Sequence, residues 1–183
     1  MCWQCDNPNG TTEEYLDELR ETIRVHGWAV QGVEEDRRPY AYTIGLHDSG
    51  LAELLVTGLS PQRAARVLND VAGAAVGGRV LKPGAHIAVG DGPLLEIVEV
   101  DHPDAHMNFA IALGGPDIRA LQLVWADDRG RWPWAAGWGH GRRRHPCCAC
   151  GLRRRSGGTA PCSAAQARAS LPSASAGSTT AHG

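Results

Sequence analysis

Two cysteines near the start of the chain have the spacing of a metal or redox site. Cys2 and Cys5 form a Cys-x-x-Cys pattern, which either chelates zinc or cycles between dithiol and disulfide. A redox site of the thioredoxin type requires a preceding strand, and a zinc site requires two more ligands. Those ligands would have to come from His26, His47, His102, His106, His145, Cys147, Cys148 or Cys150. We therefore expect no cofactor, with zinc at Cys2 and Cys5 as the alternative.

Two other pairs have ligand spacing but a simpler structural interpretation. His102 and His106 lie four residues apart, but Pro103 occupies the position of the Glu in the helical metalloprotease motif. This favours a His102 at a helix start and a partly buried His106. Asp127 and Asp128 could act as an acid and base pair, yet they precede Arg-Gly in a predicted turn. Asp is favoured in turns because its carboxylate bonds nearby backbone amides.

Two remaining groups favour binding over catalysis. Tyr42, Thr43 and His47 flank Gly45 at a predicted strand end, where the backbone can approach a ligand and His titrates near neutrality. A second group is aromatic and comprises Trp125, Trp132, Trp134 and Trp138. Such a cluster forms either a core wall or a partner-binding surface. No nucleophile elbow, phosphate loop or dinucleotide-binding glycine pattern accompanies these residues.

Two helices are predicted around these residues. The first has a capping box at Thr11 and Glu14 and continues to Gly27. The second begins after Ser60 with Pro61 at its first position and ends at Gly77-Gly78. A third, shorter helix is expected to open at Pro103 and end at Gly114.

Several short apolar runs between the helices predict strands. They cover 28–33, 40–46, 53–57, 85–89 and 94–100, and the last comprises Leu121 to Trp125 followed by a turn and a return strand through Trp132 and Trp134. Adjacent strands with short links favour antiparallel pairing. We predict an α+β domain, with a mostly antiparallel sheet, two to three helices and a closing hairpin.

Charge divides the chain into two parts. Residues 1–138 carry all 20 acidic residues against 11 basic ones, whereas residues 139–183 carry seven Arg and no acid. An acidic domain repels nucleic acid, so we expect none to bind the folded part. The second part is rich in Arg, Ala, Ser and Gly, lacks a periodic apolar face, and is predicted to be a disordered tail.

The location of the protein follows from what the sequence lacks. No run approaches the length of apolar residues that spans a bilayer, and the first residues lack a signal-peptide pattern. The predicted domain body, between Cys5 and Cys147, contains no cysteine. Reducing compartments disfavour disulfide frameworks, so a domain body without cysteines is typical of the cytoplasm. We expect a cytoplasmic protein without membrane association.

Several blocks of the sequence resemble the bacterial family known as domain of unknown function 4262. The blocks are Cys2-x-x-Cys5, His26 to Gln31, Ala41 to Leu46, Glu53 to Leu59, and Ala120 to Asp127 with Gly130 to Trp134. The resemblance implies no reaction, because none is assigned to that family. The chain departs from the family pattern after Trp138, and a frame change in the coding region is one explanation.

The sequence as a whole predicts a non-catalytic module that binds a small molecule or a protein partner. Its candidate site residues are Tyr42, Thr43, His47, Trp125, Trp132 and Trp134. The alternative is a metal-binding or thiol-dependent enzyme that uses Cys2, Cys5 and a histidine.

Overall fold

A computed structural model describes residues 7–33, 39–88 and 90–135. These ranges contain the α-helices α1 (Thr12–His26), α2 (Pro61–Val76) and α3 (Asn108–Gly114), and strands β1 (Ala29–Val33), β2 (Tyr40–Ile44), β3 (Glu53–Thr57), β4 (His86–Ile87), β5 (Leu95–Glu99) and β6 (Ala120–Trp125). Two 3-10 helices cover Leu46–Ser49 and Pro103–Ala105. The predicted α+β fold class is confirmed. The boundary at residue 138 and the predicted tail lie outside the described residues.

The first helix begins and ends as its sequence predicts. The Thr11 side chain accepts a hydrogen bond from the Glu14 amide at 3.2 Å, and the Glu14 carboxylate accepts from the Thr11 amide at 2.7 Å. This reciprocal capping box satisfies two amides that would otherwise lack partners. At the other end, the Gly27 amide donates to the Ile23 carbonyl. The capping residues thus fix both ends of α1.

The six strands form one sheet in the order β1-β2-β3-β6-β5-β4. All neighbouring strands pair antiparallel except β3 and β6, which are parallel. The sheet is therefore mostly antiparallel, as predicted. β6 lies between β3 and β5, so both of its edges are hydrogen-bonded.

Helices cover both faces of the sheet. Successive residues of a strand point to opposite faces, and the buried strand residues accordingly fall into two clusters. The cluster on one face packs against α2 through Ala64, Val67, Leu68, Val71 and Ala72. The cluster on the other face packs against α1 and α3 through Leu16, Leu19, Met107 and Ala110. No helix in the described ranges is long and apolar enough to cross a bilayer.

The predicted closing hairpin is wrong. The chain turns back at Asp127, whose amide donates to the Arg131 carbonyl at 2.8 Å, but residues 132–135 form a turn and no strand. The reason is that β6 already has two neighbours, so a returning strand has no free edge to pair with. Trp132 instead packs against Val98 of β5 and Val124 of β6.

Three predicted elements differ from the observed ones by more than one residue. The second strand ends at Ile44 rather than Leu46, because the backbone turns left-handed at Gly45 and enters a 3-10 helix. The strand predicted over 85–89 is only His86–Ile87, and Val89 lies outside the described residues. The helix predicted from Pro103 to Gly114 is interrupted, because Pro103–Ala105 forms a 3-10 turn and α3 starts at Asn108.

Because of the interruption, His102 and His106 flank a 3-10 helix, so His102 does not start an α-helix as predicted. His106 ends the 3-10 turn, is partly buried and contacts the edge of the Tyr40 ring with centroids 6.2 Å apart. His102 is exposed and precedes the turn. The partly buried His106 is as predicted, and the two imidazoles do not lie on one α-helix.

Asp127 organises the turn after β6, in agreement with its predicted role. Its Oδ1 accepts from the amides of Arg129 at 3.0 Å and Arg131 at 2.8 Å, and its Oδ2 accepts from the Arg131 Nε at 2.9 Å. Burial acts to raise the pKa of Asp127, but these hydrogen bonds outweigh it and hold the pKa below the ordinary 3.8. The carboxylate therefore stabilises the fold above that value and loses this effect as the pH falls through the folded-state pKa.

We expect Asp127→Asn to lower stability at neutral pH more than in acid. The amide has one oxygen fewer for the three donors and lacks the charge that holds Arg131. The measurement is the urea midpoint of both proteins at pH 7 and near pH 3, where the difference should shrink. A difference that stays constant between the two pH values would contradict this role.

Candidate functional site

The candidate site is built on the turn that connects β2 and β3. Gly45 follows the last residue of β2 with φ of 108°, in the left-handed region that other residues rarely adopt. The 3-10 helix Leu46–Ser49 follows at once and places His47 beside the first residue of β3, Glu53. Glycine is thus needed where the strand changes direction, and the turn brings His47 to Glu53.

Glu53 is a buried carboxylate surrounded by hydrogen-bond donors. Its side chain is 0% exposed. Oε1 accepts from the Gly45 amide at 2.9 Å, the His47 amide at 3.1 Å and the His47 Nδ1 at 2.7 Å. Oε2 accepts from the Thr43 hydroxyl at 2.6 Å. Four donors on two oxygens satisfy a buried carboxylate, and they tie the whole turn to β3.

Thr43 connects this carboxylate to the backbone of β3. Its hydroxyl donates to Glu53 and accepts from the Leu54 amide at 2.8 Å. The Thr43 side chain is fully buried, so it supports Glu53 and does not face a ligand. The predicted site residue Thr43 therefore belongs to the site, where it supports the buried Glu53 carboxylate.

The contact with Glu53 fixes the orientation of the His47 ring. A carboxylate oxygen only accepts, so the short contact requires a proton on Nδ1. The opposite ring nitrogen, Nε2, lies 3.3 Å from Oδ1 of Asp48. With that proton in place, Nε2 carries a second proton only in the imidazolium form, and the Glu53 carboxylate fixes the orientation of the ring in either form. The structure therefore presents a fixed imidazole edge.

That edge forms part of a surface cavity between α1, the 3-10 turn and the end of α3. The cavity has a volume of about 390 Å³, within the range of small-molecule sites. Its lining residues combine charge with aliphatic surface and are Arg20, Ile23, Arg24, His47, Asp48 and Leu113. Such a mixture can hold a small molecule with one polar end and one apolar end.

Two glycines allow the helices to approach this turn closely. A Cβ on Gly45 would lie 2.8 Å from Cγ2 of Ile23 in α1. A Cβ on Gly114, at the end of α3, would lie 2.8 Å from the Nε2 and Cδ2 of His47 and 2.7 Å from Cγ2 of Ile118. The absence of side chains at these positions lets both helices pack against the turn that carries His47.

We expect Gly114→Ala to displace the His47 ring. Contacts under 3.0 Å cannot persist, and Ile118 packs in the core, so the imidazole or the end of α3 must move. The check is the pair of His47 ring-nitrogen NMR signals, which should shift, together with a lower melting temperature. Gly73→Ala in α2 is the matched control, because a Cβ there meets nothing within 4 Å. Unchanged His47 signals in Gly114→Ala would contradict this packing.

Tyr42 does not line the cavity. It is buried between the sheet and α3, its hydroxyl accepts from the Phe109 amide at 3.4 Å, and its ring stacks on Tyr40. Burial raises the pKa of Tyr42 well above its ordinary value. Tyr42 is therefore a core residue of this part of the fold.

The predicted tryptophans lie away from His47. The Trp125 indole donates to the Thr57 carbonyl at 2.9 Å, at the opposite end of β3 from Glu53. Trp132 and Trp134 stack with centroids 5.6 Å apart, and His86 also stacks on Trp132 with centroids 4.9 Å apart. The six predicted residues therefore do not form one site, and only Thr43 and His47 belong to the candidate site.

The alternative zinc ligands Cys2 and Cys5 lie outside the described residues, so that alternative stays a prediction. Within residues 7–33, 39–88 and 90–135, no group of three or more His, Cys, Asp or Glu is arranged to hold a metal ion. His47 is close to two carboxylates, since its Nδ1 is hydrogen-bonded to Glu53 and its Nε2 lies 3.3 Å from Oδ1 of Asp48.

Glu53, Arg20, Arg24 and Asp48 were not among the predicted site residues, and neither were the apolar lining residues Ile23 and Leu113. Glu53 opens the strand predicted over 53–57, and Arg20 and Arg24 fall in the first predicted helix. Asp48 falls between two predicted strands. The one available signal was a charged residue opening the otherwise apolar run Glu-Leu-Leu-Val at Glu53.

Comparison with known proteins gives a family without an assigned reaction. No curated protein and no solved structure matches the chain. A family model described as "Domain of unknown function (DUF4262)" matches residues 22–139. This range includes most elements of the fold and the residues His47 and Glu53, and it covers more than half of the chain. The chain therefore belongs to the DUF4262 family.

Proposed function

We propose that the domain is a non-catalytic binding module that holds a small molecule in the cavity beside His47. The observation that carries this proposal is the buried Glu53, which fixes the His47 imidazole at the wall of the cavity. Orienting groups of this kind lower the cost of ordering a binding site when the ligand arrives. Ile23 and Leu113 add an apolar surface beside the fixed polar edge.

Non-catalytic binding is favoured over catalysis by the chemistry of the lining. A histidine held by a carboxylate commonly activates a Ser, Thr or Cys nucleophile. Among the described residues that line this cavity, none is a Ser, Thr or Cys. The Nε2 of His47 faces Asp48, a weak nucleophile, so the arrangement supports recognition of a polar group.

A fragment screen on the full chain tests the proposal. Ring-nitrogen NMR of His47 reports on the cavity directly, and a binding fragment should shift its signals and raise the melting temperature. The His47→Gln variant should lose the rise in melting temperature. The His102→Gln variant, changed at an exposed histidine outside the cavity, should keep both the rise and the shift of the His47 signals. Failure of a chemically diverse library to shift His47 would refute the proposal.

A protein partner at the stacked tryptophans is a second candidate function. The side chain of Trp134 is 39% exposed while its ring stacks on Trp132. Exposed tryptophans are frequent hot spots of protein interfaces. A Trp134→Ala variant that loses a partner recovered with the wild type would support this candidate.

The alternative from the sequence, an enzyme using Cys2 and Cys5, has its own test. Metal analysis of protein purified without chelator should give about one equivalent of zinc if both cysteines are ligands, because structural zinc sites bind tightly. Less than about a tenth of an equivalent would exclude the metal-binding version of this alternative. The proposal also retains the expected cytoplasmic location and the absence of nucleic-acid binding by the acidic domain.

A further inference from the structure

Asp48 occupies the position on His47 that a ligand would need. Its Oδ1 lies 3.3 Å from Nε2, the ring nitrogen opposite the one held by Glu53. The Asp48 side chain is 67% exposed, and it lines the cavity. A carboxylate from the protein itself therefore lies against the fixed imidazole edge, and solvent reaches it freely.

The same cavity contains two guanidinium groups from consecutive turns of α1. Arg20 pairs with Asp17 at 2.6 Å and Glu13 at 2.9 Å, and Arg24 pairs with Glu21 at 2.6 Å. Arg20 is 49% exposed and Arg24 is 71% exposed. Ion pairs this exposed contribute little to stability, and each guanidinium has five N–H donors. Both groups can thus bind an incoming anion at small cost.

The lining offers hydrogen-bond donors for an anion beside a short aliphatic surface. Each Arg has N–H donors beyond those in its ion pairs with the carboxylates of α1, and Ile23 and Leu113 provide the apolar part. Planar guanidinium groups match the geometry of carboxylates. A volume of about 390 Å³ accommodates a small molecule.

We propose that the ligand is a small aliphatic carboxylate and that Asp48 is its internal competitor for His47. In the imidazolium form of His47, the ligand carboxylate replaces the Asp48 carboxylate as the acceptor of the Nε2 proton, and it contacts Arg20 and Arg24. Its aliphatic part lies on Ile23 and Leu113. This inference rests on the proposed small-molecule function of the cavity. It assigns Asp48 a role that weakens binding, in contrast to the other polar residues of the lining.

The test compares Asp48→Asn with the wild type, using hexanoate as the probe at constant ionic strength. His47 ring signals and fast-exchange titration give the dissociation constants. Removal of the competing charge should tighten hexanoate binding by about fivefold, the size of effect expected for an exposed ion pair. Asp104→Asn is the matched control, because it removes an exposed acid from the other 3-10 helix and leaves the cavity unchanged.

Neutral and inorganic probes separate this inference from the proposed function. Hexanol should bind more weakly than hexanoate, and inorganic phosphate should not bind more tightly than hexanoate. Binding of hexanol at His47 without binding of hexanoate would overturn the carboxylate inference and leave small-molecule binding intact. Tighter binding of phosphate would overturn the ligand class. Equal affinities for hexanoate in Asp48→Asn and Asp104→Asn would overturn the competitor role.

Discussion

Glu53→Ala should destabilise the domain by about 3 to 5 kcal/mol, because it leaves several buried donors without an acceptor. The affected donors are the amides of Gly45 and His47, the His47 Nδ1 and the Thr43 hydroxyl. A loss of this size is a large part of the stability of a single domain. Chemical denaturation of both proteins measures it.

Glu53→Gln separates the loss of charge from the loss of hydrogen bonding. One oxygen of the amide can still accept from the turn, and the amide nitrogen can donate to Thr43, whose hydroxyl has two lone pairs. The expected cost is about 1 to 2 kcal/mol, since charge-assisted hydrogen bonds are replaced by neutral ones. This variant also keeps the prediction testable if Glu53→Ala does not fold.

Glu99→Ala is the control for both variants. Glu99 also belongs to a strand of the sheet, but it is exposed at the end of β5. Its replacement should change stability by less than about 0.5 kcal/mol, as is usual for surface positions. Similar losses for Glu53→Ala and Glu99→Ala would show that Glu53 does not hold the turn.

The elements of the fold could be predicted because their signals are local. The capping box at Thr11 and Glu14, the Pro61 start of α2 and the apolar run of β3 all depend on neighbouring residues. The pairing of β3 with β6 depends on residues 67 positions apart, such as Glu53 and Ala120, and no local pattern specifies it. The error at the closing hairpin follows directly, because a local turn at Asp127 was extended into a strand pair that the central position of β6 forbids.

The site could be predicted only in part for the same reason. Residue type and position next to a glycine identified His47 and Thr43, which lie four residues apart in the sequence. Arg24 lies in the last turn of α1 and Arg20 pairs with Asp17 of the same helix, so the local context already accounts for both. Their place in the cavity lining arises from the packing of Ile23 against Gly45, which places α1 beside the turn.

Glu53 illustrates how burial hides a functional signal. A charged residue at the start of a strand is ordinarily placed at a solvated end, whereas Glu53 is fully buried. It is tolerated there because the turn after β2 folds back and supplies donors to both oxygens. The sequence alone does not show that those donors converge.

The other large effect is expected for Trp132→Ala. Trp132 packs against Val98 and Val124 of the sheet, and its ring stacks with the rings of His86 and Trp134. A fully buried tryptophan costs about 3 to 5 kcal/mol on truncation, and Trp132 is half-buried, so we expect about 2 kcal/mol. For a domain of this size that corresponds to a decrease in melting temperature of roughly 5 to 10 °C.

Trp134→Ala provides the comparison, because Trp134 contacts the same stack from its exposed side. Its truncation removes one stacked ring and little buried surface, so the decrease should be at most half of that for Trp132→Ala. The larger effect is expected for Trp132 because only this ring packs against Val98 and Val124. The returning strand of a hairpin would instead have placed both rings on one face of the sheet, at alternate positions. Unchanged melting of Trp132→Ala would show that Val98 and Val124 do not depend on this ring for burial. The tryptophan pair would then be a surface for a partner rather than a cover for the sheet.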